Sequence, residues 1–451
     1  MLSIFNKAKD AGYPTHGGAN VPHRKNTAEC KTVVMPPPEK VVIPMLMHLG
    51  APCTPLVKAG QTVKVGQKIA DSDKFVSAPI HSPISGKVKA IGEMLMPQGM
   101  KAATITIESD GEMTLSEEIK PPAVNGKDDF IKAVRESGLV GLGGAGFPTF
   151  IKLNPPVGTV IDTLIINGAE CEPYITSDYR ELIENGEDVV TGVFAIKKLL
   201  GAERAVIAIE DNKPLAIENI KKIVNGFEQN DGSVSVMTLA SRYPQGGEKV
   251  LIQKVTGRVV PKGKLPADVG CVVMNAQSIA FLARYMSTGM PLITKRLTID
   301  GSAVNNPQNV MACIGTPIND VLEFAGGIKD DAKKIIMGGP MMGIALSGGD
   351  IPVLKQNDAV LAFSEGDAEM REPSACIRCG RCVDACPFSL MPTRVDHLLK
   401  QKDPVELEKA GTMTCMECGC CSFVCPAGRK LVQSMRLAKR IIRNAPKKEA
   451  K

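Results

Sequence analysis

Tryptophan is absent from this 451-residue chain, and all aromatic residues together make up only 4% of it. A groove for nucleic acid is built on aromatic stacking platforms and a concentrated basic surface, whereas the formal net charge here is a modest +6, part of it gathered in the tail. Nucleic acid is therefore not expected as a partner. Also missing is any window of about 18 uninterrupted apolar residues. The first thirty or so residues lack the short apolar core of a secretory leader. The sequence thus predicts a chain that stays on the cytosolic side and does not span a membrane. What is present is ordinary for folded protein: 44% hydrophobic and 23% charged residues, in a length that predicts about two to four domains. Fourteen cysteines, eight of them in one regular spacing, fit a reducing compartment where thiolates stay free to act as ligands.

The regular spacing runs from Cys376 to Cys425. It reads Cys376-Ile-Arg-Cys379-Gly-Arg-Cys382-Val-Asp-Ala-Cys386-Pro387, then a connection of helical character, then Cys415-Met-Glu-Cys418-Gly-Cys420-Cys421-Ser-Phe-Val-Cys425-Pro426. Each half is CxxCxxCxxxCP, which wraps three thiolates round one iron-sulfur cube and sends the fourth to the neighbouring cube. Cys376, Cys379, Cys382 and Cys425 are assigned on that basis to one 4Fe-4S cluster, and Cys415, Cys418, Cys421 and Cys386 to another. Cys420 falls one residue out of step and reads as a spare thiol. A zinc ribbon would use two separated CxxC pairs rather than four-cysteine runs ending in proline.

From the start, residues 1–39 are rich in Gly, Pro and His and predict an irregular arm lying over a domain, its histidines bonded to backbone rather than to metal. Short apolar runs broken by turns over 40–115 predict a small all-β unit. Its segment Asp71-Ser72-Asp73-Lys74-Phe75-Val76, followed by Ser85-Gly86-Lys87-Val88, resembles the lipoyl or biotinyl barrel-sandwich fold. The flanks of Lys74 depart from both modification motifs, so the lysine is expected to be unmodified. Residues 124–289 alternate strand-like runs (160–166, 204–209, 234–239) with helical ones (181–200, 214–224), the pattern of an α/β layer with a mainly parallel sheet. Residues 290–345 form a compact α+β unit, 346–368 a linker, 369–428 the cysteine domain, and 429–451 a basic amphipathic helix and tail. That tail could lie on an anionic membrane or acidic partner, or pack on its own module.

Gly141-Leu142-Gly143-Gly144-Ala145-Gly146-Phe147-Pro148 opens the α/β unit. It spells GxGxxG, yet a helical segment precedes it and Pro148 follows, which is not the strand-then-helix setting of a dinucleotide fingerprint. Glycines without Cβ still let several backbone N–H groups approach a phosphate or planar ring, so a phosphate or flavin cradle competes with a merely tight loop. Ligands of parallel sheets gather beyond the strand carboxyl ends. That brings in Asn167-Gly168-Ala169-Glu170-Cys171-Glu172 after the first strand and Tyr243-Pro244-Gln245-Gly246-Gly247-Glu248 after the third. Glu170 and Glu172 read as acceptors for ribose or nicotinamide groups, with an acid-base pair or a solvated turn as alternatives. Cys171 reads as packing.

In this order, with His16-Gly17-Gly18 in the arm, the motifs resemble the C subunit of Rnf-type electron transport complexes over nearly the whole chain. The middle is similar to the NADH-binding flavoprotein subunit of respiratory complex I. The resemblance implies a barrel-sandwich hybrid, an α/β flavin and nucleotide domain, an SLBB-like β-grasp unit and a two-cluster ferredoxin-like domain. It implies FMN held by Gly141, Gly143, Gly144, Gly146, Lys152 and Asn167, NAD(H) near Phe147, Glu170 and Glu172, and Tyr243, Gly246, Glu248 and Asn275 lining the flavin side. Leu142, Cys171 and Leu153 stand where the complex I subunit has Arg, Ser and Trp. The implied activity is NADH-linked electron transfer within a membrane-bound, ion-translocating ferredoxin:NAD oxidoreductase, the chain being peripheral on the cytoplasmic face through other subunits. A cobalamin reductase of the propanediol-utilisation type and a flavin-free electron wire are the alternatives.

Overall fold

The computed structural model describes residues 12–144 and 146–446; the first part of the arm (1–11), Ala145 and the end of the tail (447–451) lie outside the described residues. The arm enters a strand, β1 (Thr32–Val34), instead of staying irregular throughout. Two small antiparallel sheets follow. They are built from β2 (Lys40–Pro44), β3 (Thr54–Pro55), β4 (Thr62–Val63), β5 (Lys68–Asp71), β6 (Ile80–His81), β7 (Gly86–Leu95) and β8 (Lys101–Ser109), in the orders β2-β8-β7-β4 and β3-β5-β6. Inward residues alternate along them, with Val41, Ile43, Ile69, Ile105 and Ile107 inaccessible to solvent. This is the expected barrel sandwich. Lys74 is exposed in the turn between β5 and β6, and the neighbouring Phe75 sets its ring edge-on to Phe150 at 6.3 Å.

The α/β unit carries β9 (Thr163–Gly168), β10 (Arg204–Glu210), β11 (Val234–Leu239) and a strand that the apolar pattern alone does not separate, β12 (Cys271–Asn275). All four are parallel, in the order β11-β10-β9-β12. Their cores are near-continuous apolar runs such as Leu164-Ile165-Ile166 and Val206-Ile207-Ala208, because helices cover both faces. The helical stretch expected over 181–200 is two helices, Ser177–Glu184 and Gly186–Leu200, broken at Asn185. Gly186 is needed at the break: a Cβ there would come within 2.8 Å of Asn219 Nδ2 and Ile223 Cδ1 of the next helix.

The third unit is a mixed sheet of β13 (Thr294–Asp300), β14 (Gln308–Cys313), β15 (Ala332–Met337), β16 (Ile344–Ala345) and β17 (Ala359–Ser364), in the order β1-β14-β13-β17-β15-β16. Two expectations are corrected here. The stretch 346–368 is not a linker, because β17 lies at the centre of the sheet with Val360, Leu361 and Ala362 fully buried. The arm supplies the edge strand through Thr32↔Asn309 to Val34↔Met311. One continuous core joins all three units, from Ile43 and Ile105 through Leu164 and Ile279 to Leu297 and Val360. The cysteine module has its own small core, in which Met435 and Ala438 of the helix Leu431–Asn444 meet Val395 and Leu407. Of the readings for the basic tail, the apolar face is thus taken up by its own module.

Two histidines of the sandwich give the fold an acid limit. Burial, reinforced by the buried Lys355 ammonium, pushes His81 down to about 3 and His48 to about 4. Each Nδ1 lacks a partner in the interior. The unfolded chain takes up these protons near pH 6.5. The stability they lend is therefore present above that pH and lost as pH falls toward the folded values, at about 1.4 kcal/mol per pH unit for each group. Thermal melts from pH 7 to pH 4 should show His81→Gln with a shallower decline than the parent; parallel curves would refute it.

Candidate functional site

A strand order of 3-2-1-4 makes the gap between β9 and β12 a topological switch point, where a crevice opens beyond the carboxyl ends. Asn167 and Asn275 sit side by side there, paired in register. Asn275 Oδ1 accepts from the N–H groups of Gln277 and Ser278, capping the helix Ala276–Thr288, while its Nδ2 donates to Asp178 at 2.7 Å. Asn167 Nδ2 donates to the Gly246 carbonyl at 2.8 Å, bringing the 243–248 turn over the same strand end.

The glycine loop closes on this crevice as a narrow turn, with Gly141 N–H donating to Phe147 O at 2.8 Å and Gly146 N–H to Gly141 O at 3.2 Å. Leu142 N–H donates to Ser278 Oγ at 3.0 Å. Gly143 lies so close to Asn275 that a Cβ would come within 3.0 Å of its Nδ2. Gly144 has φ +109°, and a Cβ there would point into open space. The N–H groups of Gly143 and Gly144 take part in none of the hydrogen bonds among the described residues. The loop is backed by the sandwich, whose Leu49 N–H donates to Gly146 O at 2.9 Å. Lys152 reaches Glu248 Oε1 at 2.6 Å and the Val273 carbonyl at 3.3 Å.

Gly141, Gly143, Gly144, Gly146, Phe147, Lys152, Asn167, Gly246, Glu248 and Asn275 thus converge on one crevice. Two further groups belong with them. Gln245 Nε2 and Gln356 Oε1 are buried without partners among the described residues, the latter residue packed beside Gly146. Gln245 lies inside the 243–248 motif; Gln356 gives no signal of its own in the sequence, since its stretch reads as linker. Orphaned polar atoms, free loop N–H groups and an open volume facing Gly144 are what a polar, phosphate-bearing planar group would fit.

The acidic turn is different from its sequence reading. Glu170, at φ +48°, accepts from Asp178 N–H at 2.6 Å and Tyr179 N–H at 3.3 Å, at the start of the helix Ser177–Glu184. Glu172 accepts from Met341 N–H at 3.0 Å, Met342 N–H at 2.9 Å and the Tyr243 hydroxyl at 3.4 Å. Desolvation pushes both carboxyls up to about 7. Neither a solvated turn nor an acid-base pair describes them, because backbone donors already hold each carboxylate. Tyr243 turns away from the crevice, donating to the Cys418 carbonyl at 2.7 Å, so Glu172 and Tyr243 lie at the seam with the cysteine module. Lys25 of the arm carries no signal in the sequence. It is half-buried, its ammonium donates to the carbonyls of Glu170, Glu172 and Ile175 at 2.8, 2.8 and 2.5 Å, and desolvation holds it below the usual lysine range. Cys171 accepts from Gly246 N–H at 3.3 Å, and burial pushes its thiol upward, in keeping with packing.

In the cysteine module Cys386, Cys415, Cys418 and Cys421 line one pocket with Leu390, Met416, Val432 and Met435. Cys376 and Cys379 are exposed, and Cys382 packs near Cys425. The halves repeat one another. Arg378 and Glu417 both take positive φ, 57° and 63°, and donate N–H to Cys376 Sγ at 3.4 Å and Cys415 Sγ at 3.2 Å. Among the described residues no three side chains converge as on a single ion. A cube asks for something wider, since each corner iron takes one thiolate. Cys420 is fully buried and directs its thiol to the Tyr243 carbonyl at 3.9 Å. The pocket of Cys386, Cys415, Cys418 and Cys421 touches the 243–247 turn: the Tyr243 hydroxyl donates to the Cys418 carbonyl, and a Cβ on Gly247 would run into Met416, which lines the pocket.

Family models match in the same order along the chain. Residues 13–112 match the RnfC barrel sandwich hybrid domain, 134–284 the Nuo51 FMN-binding domain, 296–345 the SLBB domain and 368–441 the 4Fe-4S dicluster domain. The chain is 45% identical to the C subunit of the proton-translocating ferredoxin:NAD(+) oxidoreductase complex of Clostridium ljungdahlii, covering 94% of this chain and 93% of that one. It is 43% identical to the Na(+)-translocating counterpart of Acetobacterium woodii, over 94% and 96% of the two chains. With the C subunit of the ion-translocating oxidoreductase complex of Rhodobacter capsulatus the identity is 37%, over 92% and 80%. Among solved structures, a chain of the NAD+-reducing [NiFe]-hydrogenase in its H2-reduced state superposes with a TM-score of 0.50 at 18% identity, over 73% of this chain and 65% of that one, a likeness of fold.

Proposed function

The chain belongs to the C-subunit family of ion-translocating ferredoxin:NAD(+) oxidoreductase complexes, and from that premise we propose that one crevice and one adjoining thiol pocket join NAD(H) chemistry to single-electron transfer. The observation that carries this is one turn that touches both sites: in 243–247, Gly246 bonds Asn167 at the strand end, while Tyr243 and Gly247 meet Cys418 and Met416 of the pocket. Bound FMN supplies exchange of a hydride with NAD(H) and of single electrons with two 4Fe-4S clusters.

The chain's own residues do the rest. Gly141, Gly143, Gly144 and Gly146 would present backbone N–H groups to the flavin phosphate, with the Lys152 ammonium, shared with Glu248, near it. Asn167 and Asn275, each fixed by a second hydrogen bond, would orient the group. Gln245 and Gln356 would complete their hydrogen bonding on it. Phe147 would flank the nicotinamide nucleotide. Glu170 would act through the backbone it braces, and Glu172 with Tyr243 would hold the seam to the cluster. The thiol sets Cys376, Cys379, Cys382 and Cys425, and Cys415, Cys418, Cys421 and Cys386, would each hold one cluster, the second nearer the flavin.

No helix among the described residues is long and apolar enough to cross a membrane. Ion movement would accordingly rest with other subunits, to which this chain would attach at the cytoplasmic face. A match over 94% of the chain to the ferredoxin-linked relatives speaks against the cobalamin-reductase alternative. Anaerobically purified chain, reconstituted with iron, sulfide and FMN, should show flavin and iron-sulfur absorption that both bleach on adding NADH. Iron-sulfur absorption without bound flavin would leave only the electron-wire alternative standing.

A further inference from the structure

The two ligand loops repeat each other in backbone but are opposite in charge. Where Arg378 sits exposed between Cys376 and Cys379, Glu417 sits between Cys415 and Cys418, its N–H on the same kind of sulfur. A carboxylate in that position is next to a group that becomes one charge more negative with every electron it accepts. The helix Leu431–Asn444 answers it. Lys439, its side chain only 9% exposed, donates to Glu417 Oε1 at 2.7 Å and to the carbonyl of Cys415 at 2.6 Å. Arg436 donates to Glu417 Oε2 at 3.2 Å and to the Met342 carbonyl at 3.0 Å. Two cations thus close over one anion beside the Cys415 loop, and partial burial limits the solvent screening between them.

We propose that Lys439 and Arg436 set the reduction potential of the cluster held by Cys386, Cys415, Cys418 and Cys421, by offsetting Glu417 and holding the Cys415 loop in place. This rests on the cysteine assignment above. Charge near a cluster and hydrogen bonding around its ligands are the levers by which protein tunes its potential. The basic tail, whose apolar face is taken up by the module's core, finds its use in this charge. Lys439 and Arg436 are positioning residues, since they touch a ligand's carbonyl and a neighbouring carboxylate and not the cluster.

The test is a redox titration of the full-length chain, reconstituted anaerobically and followed by EPR, with iron and sulfide counted for each variant. Lys439→Gln should lower the potential of one cluster, and Glu417→Gln should raise that same potential. The double variant should return near the parent, and Lys439→Arg should keep the parent value. The cluster of Cys376, Cys379, Cys382 and Cys425 should not move. Unmoved potentials in both single variants, or shifts of the same sign, overturn the inference while leaving the ligand assignment intact. Should Lys439→Gln fail to load its cluster, Glu417→Gln, which keeps both cations, still decides the sign. If Cys386→Ala abolishes the signal that the Lys439 variants leave unmoved, the ligand assignment itself falls, and the inference with it.

Discussion

Gly144→Val should give a folded protein that carries iron but no flavin. At φ +109° a side chain is strained wherever it points, at a cost of about 1–3 kcal/mol. Here it would also project into the open space beside the loop. The strain alone can be set aside with a control. Gly232 has φ +88° and nothing within 4 Å of where a Cβ would stand, but it lies in the turn leading into β11, at the opposite end of the sheet from the crevice. Gly232→Val should therefore lose comparable stability and keep its flavin. Fluorescence of flavin released on heat denaturation, measured beside iron content, reads both variants at once. Flavin retained in full by Gly144→Val would remove the loop from the site. Gly143→Ala should act by a different route: its Cβ would press on Asn275, whose side chain caps the helix Ala276–Thr288, at a cost near 1 kcal/mol for a lost cap. Weakened flavin binding with some retention is expected there.

What the sequence made legible follows from how local each signal is. The cysteine runs are legible because ligand spacing is a property of about a dozen neighbouring residues, and the repeat of CxxCxxCxxxCP leaves little else for them to do. Three of the four parallel strands were legible as apolar runs, and the fourth, β12 (Cys271–Asn275), was not. Long-range placement was not. β17 reads as an ordinary apolar hexamer, Ala-Val-Leu-Ala-Phe-Ser, and nothing local says that it slots between β13 and β15. The arm's β1 is three residues whose partner lies 277 positions away, at Thr32↔Asn309. Lys25 is a basic residue in a polar stretch, and only the fold shows its ammonium bonded to carbonyls about 145 residues on. The acidic turn shows the same limit in its sharpest form. Glu170 and Glu172 do follow the end of β9, as their place in the sequence implies. Which donors each carboxylate meets depended on a helix start and on the 341–342 turn, neither of which the turn's own residues specify.

The second large effect concerns Cys386, which belongs to the first cysteine run by sequence and to the second pocket by structure. Cys386→Ala should remove about four of about eight iron atoms and leave the flavin bound. The geometry makes the choice of cluster specific. Cys386 shares its pocket with Cys415, Cys418 and Cys421, its thiol accepting from Leu390 N–H at 3.3 Å, while Cys382 packs near Cys425. The remaining EPR signal should therefore match that of Cys415→Ala and differ from that of Cys376→Ala, although Cys376 is the nearer neighbour in sequence. Because the lost cluster would be the one held beside Cys418, whose carbonyl bonds Tyr243, a kinetic signature should follow. NADH should still bleach the flavin of Cys386→Ala at the parent rate in stopped flow, while bleaching of the surviving cluster slows markedly. In Cys425→Ala, which spares the adjoining pocket, the first transfer should persist. Equal slowing in the two variants would mean that neither cluster stands between the crevice and the other, and the order inferred from Tyr243 and Cys418 would be wrong.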